Sequence, residues 1–280
     1  MRIVDAHVHL WDVERVHLSW FRADLGLPAQ VTAADLERGA AALEVDDVEL
    51  QAAVAVQAGD TAGEAEWLVR HAAASGAVPA VVFQYEPGES WAGAVQPVID
   101  AVPVATAPRV AGIRVATPQG AADFSDVPGL DRLAEGLATS GRVLELLIRP
   151  EQLGSVPSLA TRHPGLTIVV CHLGLGGGEP DAPWQAALRS LAPHDAVLAK
   201  FSGVHLGDAP RDRERLRVIA STAFDALGAE RLMFGSDWPM SARVAPYREV
   251  IARTASALPR LGHEAAAAFW SGTASRAYAL

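Results

Sequence analysis

The sequence predicts an α/β fold, a (β/α)8 barrel (TIM barrel) built as a single domain over residues 1–280. Eight short apolar or β-branched runs alternate with longer Ala-, Leu- and Arg-rich stretches of helical character, and such alternation builds a parallel sheet with helices outside. Eight units in 280 residues give roughly 35 residues each, the spacing of a closed barrel. A third observation leaves the runner-up, an open doubly wound sheet, without support: no Gly-x-Gly-x-x-Gly or P-loop pattern follows the first strand. No Ser/Gly linker, charge run or strict repeat divides the chain.

The first strand is Ile3 to Val8, leading into His9. Side chains on a strand alternate faces, so Ile3, Asp5, His7 and His9 are expected on one face and Val4, Ala6, Val8 and Leu10 on the other. The aromatic stretch from Trp11 to Phe21 is too irregular for a helix and reads as a loop above the strand end. Thr32 caps a helix, with Asp35 at the reciprocal capping position. Strand two is Ala52 to Gln57, followed by a helix from Thr61 past His71 to Gly76. Strand three is Pro79 to Gln84, followed by a helix from about Ser90 to Val102. Strand four, Val110 to Val115, carries Arg114. A helix from about Gly129 to Ser140 ends at Gly141, a favoured C-terminal residue. Strand five is Arg142 to Ile148, with a helix after it ending before Pro164. Strand six, Leu166 to Cys171, ends in His172. Gly174 to Gly178 has the wrong spacing for a dinucleotide turn and reads as a flexible active-site loop before a helix from about Pro183 to Leu191. Strand seven is Ala196 to Phe201, followed by a helix from Asp212 to Leu227. Strand eight, Arg231 to Gly235, leads into Ser236-Asp237-Trp238-Pro239, and two helices, about Tyr247 to Leu258 and Glu264 to Ala274, follow.

Half of the residues are hydrophobic, enough for a large core, and the net charge is −10. That charge repels nucleic acid and anionic membrane surfaces and leaves a small-molecule substrate as the expected partner, with a homo-oligomer compatible. No run approaches ~18 apolar residues, so no membrane span is expected. The N-terminal segment lacks the pattern of a signal peptide. Cys171 is the single cysteine, which excludes an internal disulfide or cysteine zinc knot and suits a reducing cytoplasm.

Barrel enzymes place their chemistry at the C-terminal strand ends. The polar residues predicted there are His7 and His9, Arg114, Glu145 or Arg149, His172, Lys200 or Ser202, and Asp237. Three histidines and an aspartate at separate strand ends form a suitable ligand set for zinc, manganese or a similar ion. Arg114 is a candidate for gripping a substrate carboxylate or lactone oxygen, with a structural salt bridge as the alternative. Arg149 and Lys200 are candidates on the same logic. Glu145 stands on an otherwise aliphatic strand and needs a partner, either a metal or an arginine. Trp11 and Trp238 are candidate pocket walls, and His205, in the loop after strand seven, a candidate substrate contact.

The chain resembles the amidohydrolase superfamily, in its amidohydrolase-2 branch of barrel-fold lactonases and decarboxylases. The resemblance rests on Ile3-Val4-Asp5-Ala6-His7-Val8-His9-Leu10-Trp11-Asp12, Gly112-Ile113-Arg114, Val169-Val170-Cys171-His172-Leu173-Gly174, Lys200-Phe201-Ser202-Gly203 and Phe234-Gly235-Ser236-Asp237-Trp238-Pro239. It implies a metal-dependent hydrolase with one divalent ion, zinc ahead of manganese, although some relatives work without metal. His7, His9, His172 and Asp237 fall on the family's metal and catalytic positions, with Glu145 as a further ligand candidate. Trp-Asp after the His-x-His, and Arg149-Pro150-Glu151-Gln152-Leu153 after strand five, resemble lactonases acting on sugar lactones or on lactones of aromatic catabolism.

Two departures stand out. Many relatives carry Asp before the strand-six histidine, where this chain has Cys171, expected to be a buried small hydrophobe. Lys200 is the only lysine and follows His172, so a carbamate-bridged two-metal centre is not expected. The mechanism that results has Asp237 as general base on water, with a metal or His172 polarising the lactone carbonyl. The competing readings are a metal-dependent non-oxidative decarboxylase of the same branch and a non-catalytic small-molecule-binding barrel.

Overall fold

The structure is a computed structural model that describes residues 1–41, 48–59, 61–86 and 107–280. Eight parallel strands form one sheet in sequence order: β1 Arg2–Val8, β2 Glu49–Val56, β3 Ala80–Gln84, β4 Arg109–Ala116, β5 Val143–Leu147, β6 Ile168–Val170, β7 Val197–Phe201 and β8 Leu232–Phe234. The segment after β8 closes the sheet onto β1. Asp237 N–H donates to the His7 carbonyl (2.9 Å) and His9 N–H to the Trp238 carbonyl (2.7 Å). Three of the four expected site residues His7, His9, His172 and Asp237 therefore meet at this seam.

The helices relevant to the site are α1 Ala33–Ala41, α2 Ala62–Ala73, α3 Leu130–Ser140, α4 Pro150–Leu153, α5 Val156–Arg162, α6 Ala182–Arg189, α7 Pro210–Leu227, α8 Tyr247–Ala257 and α9 His263–Ala267. A π turn, Ala268–Gly272, joins α9 to α10, Thr273–Tyr278. Local chemistry sets these ends. Asp35 accepts from both the backbone N–H (2.8 Å) and the hydroxyl (2.7 Å) of Thr32 at the start of α1, and Thr61 accepts from Glu64 N–H (3.2 Å) at the start of α2. Gly141 ends α3 at φ 62°. The helix expected over about 90–102 lies outside the described residues. No helix among the described residues is long and apolar enough to cross a membrane.

Two apolar layers follow from the strand alternation. Ile3, Phe83, Leu144, Leu146, Phe201 and Phe234 face the helices, whereas Val4, Ala6, Val54, Val82, Val169 and Met233 fill the barrel interior together with Tyr278. Small and β-branched side chains dominate the interior because eight strands leave room for little more than their own side chains.

One register break corrects the alternation expected for β1. Asp5 pairs with Ala53 but Val8 pairs with Ala55, so β1 carries one residue more than β2 over this interval, a β-bulge. Asp5 therefore does not share a face with His7. Asp5 accepts from Tyr247 Oη of α8 (3.0 Å), Ser236 N–H (2.9 Å) and His7 N–H (3.1 Å), and so ties β1, the loop after β8 and α8 together. The bulge turns His7 to the inside, where its ring meets His9 and His172.

Candidate active site

Four side chains converge at the C-terminal mouth. His7 Nε2 lies 3.1 Å from His9 Nε2. Asp237 Oδ1 lies 3.7 Å from His7 Nε2, 3.6 Å from His9 Nε2 and 3.9 Å from His172 Nε2. His9 Nδ1 donates to the Val56 carbonyl (2.7 Å), which leaves its Nε2 lone pair facing the site when the ring is neutral. His172 Nδ1 is 2.8 Å from Ser202 Oγ, a contact that the hydroxyl can make as donor or acceptor.

The backbone is strained where two of these residues enter. His172 has φ 54° and Asp237 φ 59°, left-handed values that cost a non-glycine residue of order 1–3 kcal/mol and cluster at functional sites. Gly203, at φ 61°, lets β7's loop pass against the His172 ring. A Cβ there would stand 2.5 Å from Nδ1 and 2.7 Å from Cγ.

The electrostatics favour an ionised base. Burial pushes the Asp237 carboxyl up, but the neighbouring His172 and His9 imidazoles and the Arg114 guanidinium outweigh it, and the group is held below the usual carboxylate range. Burial first, then the nearby Lys200, drives His7 well down, and His172 is also lowered, chiefly by burial. Arg114 is buried at the end of β4. Its Nε donates to Gln84 Oε1 (3.2 Å) and its Nη2 to the Gln57 carbonyl (2.5 Å). These partners are neutral oxygens, so among the described residues no carboxylate contacts this buried cation.

His7, His172 and Asp237, with His9 Nε2 beside His7, are of a kind that suits a divalent ion. Donor atoms around tetrahedral zinc, with bonds of about 2.0–2.1 Å, stand roughly 3.3–3.4 Å apart. Four of the six separations, 3.1–3.9 Å, bracket that figure, and His7, His172 and Asp237 offer ligand atoms within 4.8 Å of one another.

The amidohydrolase family model matches residues 4–280. The chain belongs to the amidohydrolase family. L-fucono-1,5-lactonase of Burkholderia multivorans is 30% identical over an alignment of 295 positions, covering 99% of this chain and 96% of that protein. L-fucono-1,5-lactonase of Burkholderia ambifaria is 29% identical over 245 residues, covering 85% and 80%. A crystal structure of a Burkholderia multivorans amidohydrolase with bound zinc is 28% identical, with a TM-score of 0.84 and full coverage of both chains. This amidohydrolase is thus a hydrolase with an eight-stranded barrel, as its sequence implies.

The structure brings His7, His9, His172, Asp237 and Arg114 together and places half-buried Trp238 next to Asp237. Other expected site residues lie elsewhere. Lys200 is 0% exposed; its Nζ donates to Glu145 Oε1 (2.7 Å) and His7 Nδ1 (3.2 Å), so it serves the underside of the site and not the substrate. Glu145 is not paired with Arg114 or Arg149. Its Oε1 accepts from Lys200 and Tyr278 Oη (2.7 Å) and its Oε2 from Cys171 Sγ (3.3 Å). His7, Glu145 and Cys171 present ligand atoms within 4.8 Å of one another, and Lys200 is paired with the same carboxylate. Trp11 is 0% exposed, donates Nε1–H to the Pro28 carbonyl (2.9 Å) and packs on Trp20 and Phe21, so it is core and not a pocket wall. Arg149 is exposed and starts α4 through its backbone N–H. His205 is buried against Thr254 Oγ1 (Nε2, 3.0 Å) and faces a cavity of about 150 Å³ that Leu216 and Arg253 also line. The loop Gly174 to Gly178 is pinned by Arg215, whose guanidinium donates to the Val204, Gly176 and Gly178 carbonyls.

Residues that sequence reading missed are Gln57 and Gln84, which hold Arg114 from neighbouring strand ends, and Tyr278, which reaches the buried lysine from α10. The first two end β-branched runs, a signal that the sequence contains. Tyr278 carries no local signal.

Proposed function

We propose that the enzyme hydrolyses a sugar lactone, with Asp237 as general base. The observation that carries this reading is the Asp237 carboxylate, ionised and within 3.9 Å of three imidazole nitrogens, in a chain similar in sequence along its length to an L-fucono-1,5-lactonase. Asp237 takes a proton from water, whose oxygen attacks the lactone carbonyl. His172 and Arg114 orient the carbonyl oxygen and stabilise the negative charge that develops on it. Asp237 then gives its proton to the ring oxygen as the C–O bond breaks, so one lactone and one water become one hydroxy acid. His7, His9, His172 and Asp237 are the residues that would hold a divalent ion, zinc in first place, and such an ion supplies Lewis-acid polarisation of the carbonyl.

The charge inventory favours a neutral polyhydroxylated lactone over a dicarboxylate one. Among the described residues, Arg114 is the strand-end cation that acts on Asp237, since Lys200 is paired with Glu145 and Arg149 is exposed just before α4. Two substrate carboxylates call for more positive charge than that. The test is hydrolysis of a panel of aldonolactones and dicarboxylate lactones by protein with one equivalent of zinc and by chelated protein. Turnover of aldonolactones ahead of dicarboxylate lactones is expected. Absence of lactone turnover in both forms overturns the reading.

A further inference from the structure

We propose that Lys200 is a positioning residue for the catalytic centre: gripped from below by Glu145 and Tyr278, it fixes the proton of His7 on Nε2, so that His7 faces the site as a hydrogen-bond donor.

The argument begins at the bottom of the chain of contacts. Glu145 is 0% exposed and is surrounded by donors: Tyr278 Oη at 2.7 Å, Lys200 Nζ at 2.7 Å and Cys171 Sγ at 3.3 Å. Tyr278 Oη and Cys171 Sγ donate to its two oxygens. Lys200 and Glu145 form a fully buried ion pair, Nζ to Oε1 at 2.7 Å. A buried carboxylate in turn requires its partner to be charged, so Lys200 is an ammonium. It also lies 5.4 Å from the centre of the Tyr278 ring, a cation–π contact.

An ammonium has three N–H groups and no lone pair. Its 3.2 Å contact with His7 Nδ1 therefore runs one way, from lysine to imidazole. Nδ1 is an acceptor, and the neutral His7 ring must carry its proton on Nε2. The next contact agrees. His9 Nδ1 faces a carbonyl, which only accepts, so His9 Nε2 is an acceptor that receives Nε2–H from His7 at 3.1 Å. The donors all point the same way, from Lys200 through His7 and His9 to the Val56 carbonyl. Asp237 Oδ1, 3.7 Å from the same His7 nitrogen, lies close to a donor and not to a lone pair.

This arrangement bears directly on zinc. A metal at His7 Nε2 needs that proton moved to Nδ1, where the ammonium stands. Lys200 therefore opposes metal binding both by tautomer and by charge. The consequence for hydrolysis rests on the lactonase reading of the site; the tautomer and the metal affinity do not.

The test uses ¹⁵N-histidine-labelled full-length protein, freed of metal, with the His7 ring assigned through His7→Gln. Two-bond ¹⁵N–¹H correlation spectra distinguish the two neutral tautomers. The wild type is expected to show Nε2–H at His7; Nδ1–H there overturns the proposal without any variant having to fold. The double variant Lys200→Met with Glu145→Gln removes both charges and leaves an amide oxygen to accept from Tyr278. Its His7 signal is expected to move toward Nδ1–H, and its zinc affinity, measured by competition with a chromogenic chelator, to rise at least about tenfold. An unchanged tautomer or unchanged zinc affinity in the folded double variant overturns the proposal. Failure of lactone turnover by the wild type counts against the lactonase reading alone.

Discussion

Replacing Gly203 by alanine tests whether the backbone of the β7 loop sets the position of His172. The added Cβ would stand 2.5 Å from Nδ1 and 2.7 Å from Cγ of that ring, against an ordinary contact of 3.4 Å or more, an overlap of about 0.9 Å. The ring must yield by nearly an ångström or the loop must. A misplacement of about 1 Å at a catalytic group costs roughly 10²-fold in rate, so kcat/KM for lactone hydrolysis is expected to fall about 100-fold. Stability falls too. Alanine at φ 61° costs about 1–2 kcal/mol and the overlap about 1–3 kcal/mol more, which for a chain of this size lowers Tm by roughly 3–9 °C. Gly141→Ala supplies the control. Gly141 has φ 62° but nothing within 4 Å of its would-be Cβ, so it carries the backbone cost without touching the site. A pH-indicator assay of hydrolysis, with calorimetry on each variant, separates the two terms. The reasoning is refuted if Gly203→Ala retains kcat/KM within about threefold of wild type, or if Gly141→Ala loses as much activity as Gly203→Ala.

Asp237→Asn keeps the shape of the base but cannot take a proton, and steady-state assays are expected to show kcat lower by about 10²–10⁴-fold with the fold retained by circular dichroism. Arg114→Lys keeps the charge but loses the fork that spans Gln84 and Gln57; a charge-assisted bond of about 1.5–3 kcal/mol corresponds to a fall in kcat/KM of roughly 10–150-fold, and an unchanged value would remove Arg114 from substrate orientation. His205 is depressed to about 4, first by burial and then by Arg253. The unfolded chain therefore binds the extra proton between about pH 6.5 and 4, and folding stability drops as pH falls through that window, by about 3 kcal/mol in all. Denaturant titrations of His205→Gln at pH 7 and pH 4 are expected to show a loss smaller by that amount than in wild type. Equal losses would place His205 outside the acid response.

The fold was legible because its signal is repetitive. Each strand announces itself by β-branched residues and each helix by caps such as Thr32 and Thr61, and eight repetitions of one pattern average out errors of two or three residues at each boundary. Arg114, His172 and Asp237 were legible for a related reason: a polar residue directly after an apolar run in a barrel can only sit at a strand end. What the period-two reading could not supply is which way a side chain turns once the strand stops being regular. Asp5 and His7 are two residues apart and were expected on one face, yet the bulge between Asp5 and Val8 separates them, sending Asp5 to Tyr247 and His7 to the site.

The same limit explains the misread charges. Lys200 and Glu145 are strand residues of an aliphatic setting, and the sequence presents each as a charge in need of a partner. That they satisfy one another depends on β5 and β7, one strand apart, turning both side chains into the barrel interior, with Tyr278 rising from α10 to complete the carboxylate. No local pattern encodes a contact between residues 133 positions apart. The visible motifs of this family are its mouth, where His7, His9, His172 and Asp237 meet. The layer beneath is written in residues that look individually ordinary, and it decides which nitrogen of His7 carries the proton. Two of the mouth residues, His172 and Asp237, stand at left-handed φ that the chain holds only because the surrounding layer over-determines them. Site chemistry here is therefore a property of the barrel's depth as much as of its rim, and variants of Lys200 or Tyr278 are expected to alter it without contacting substrate.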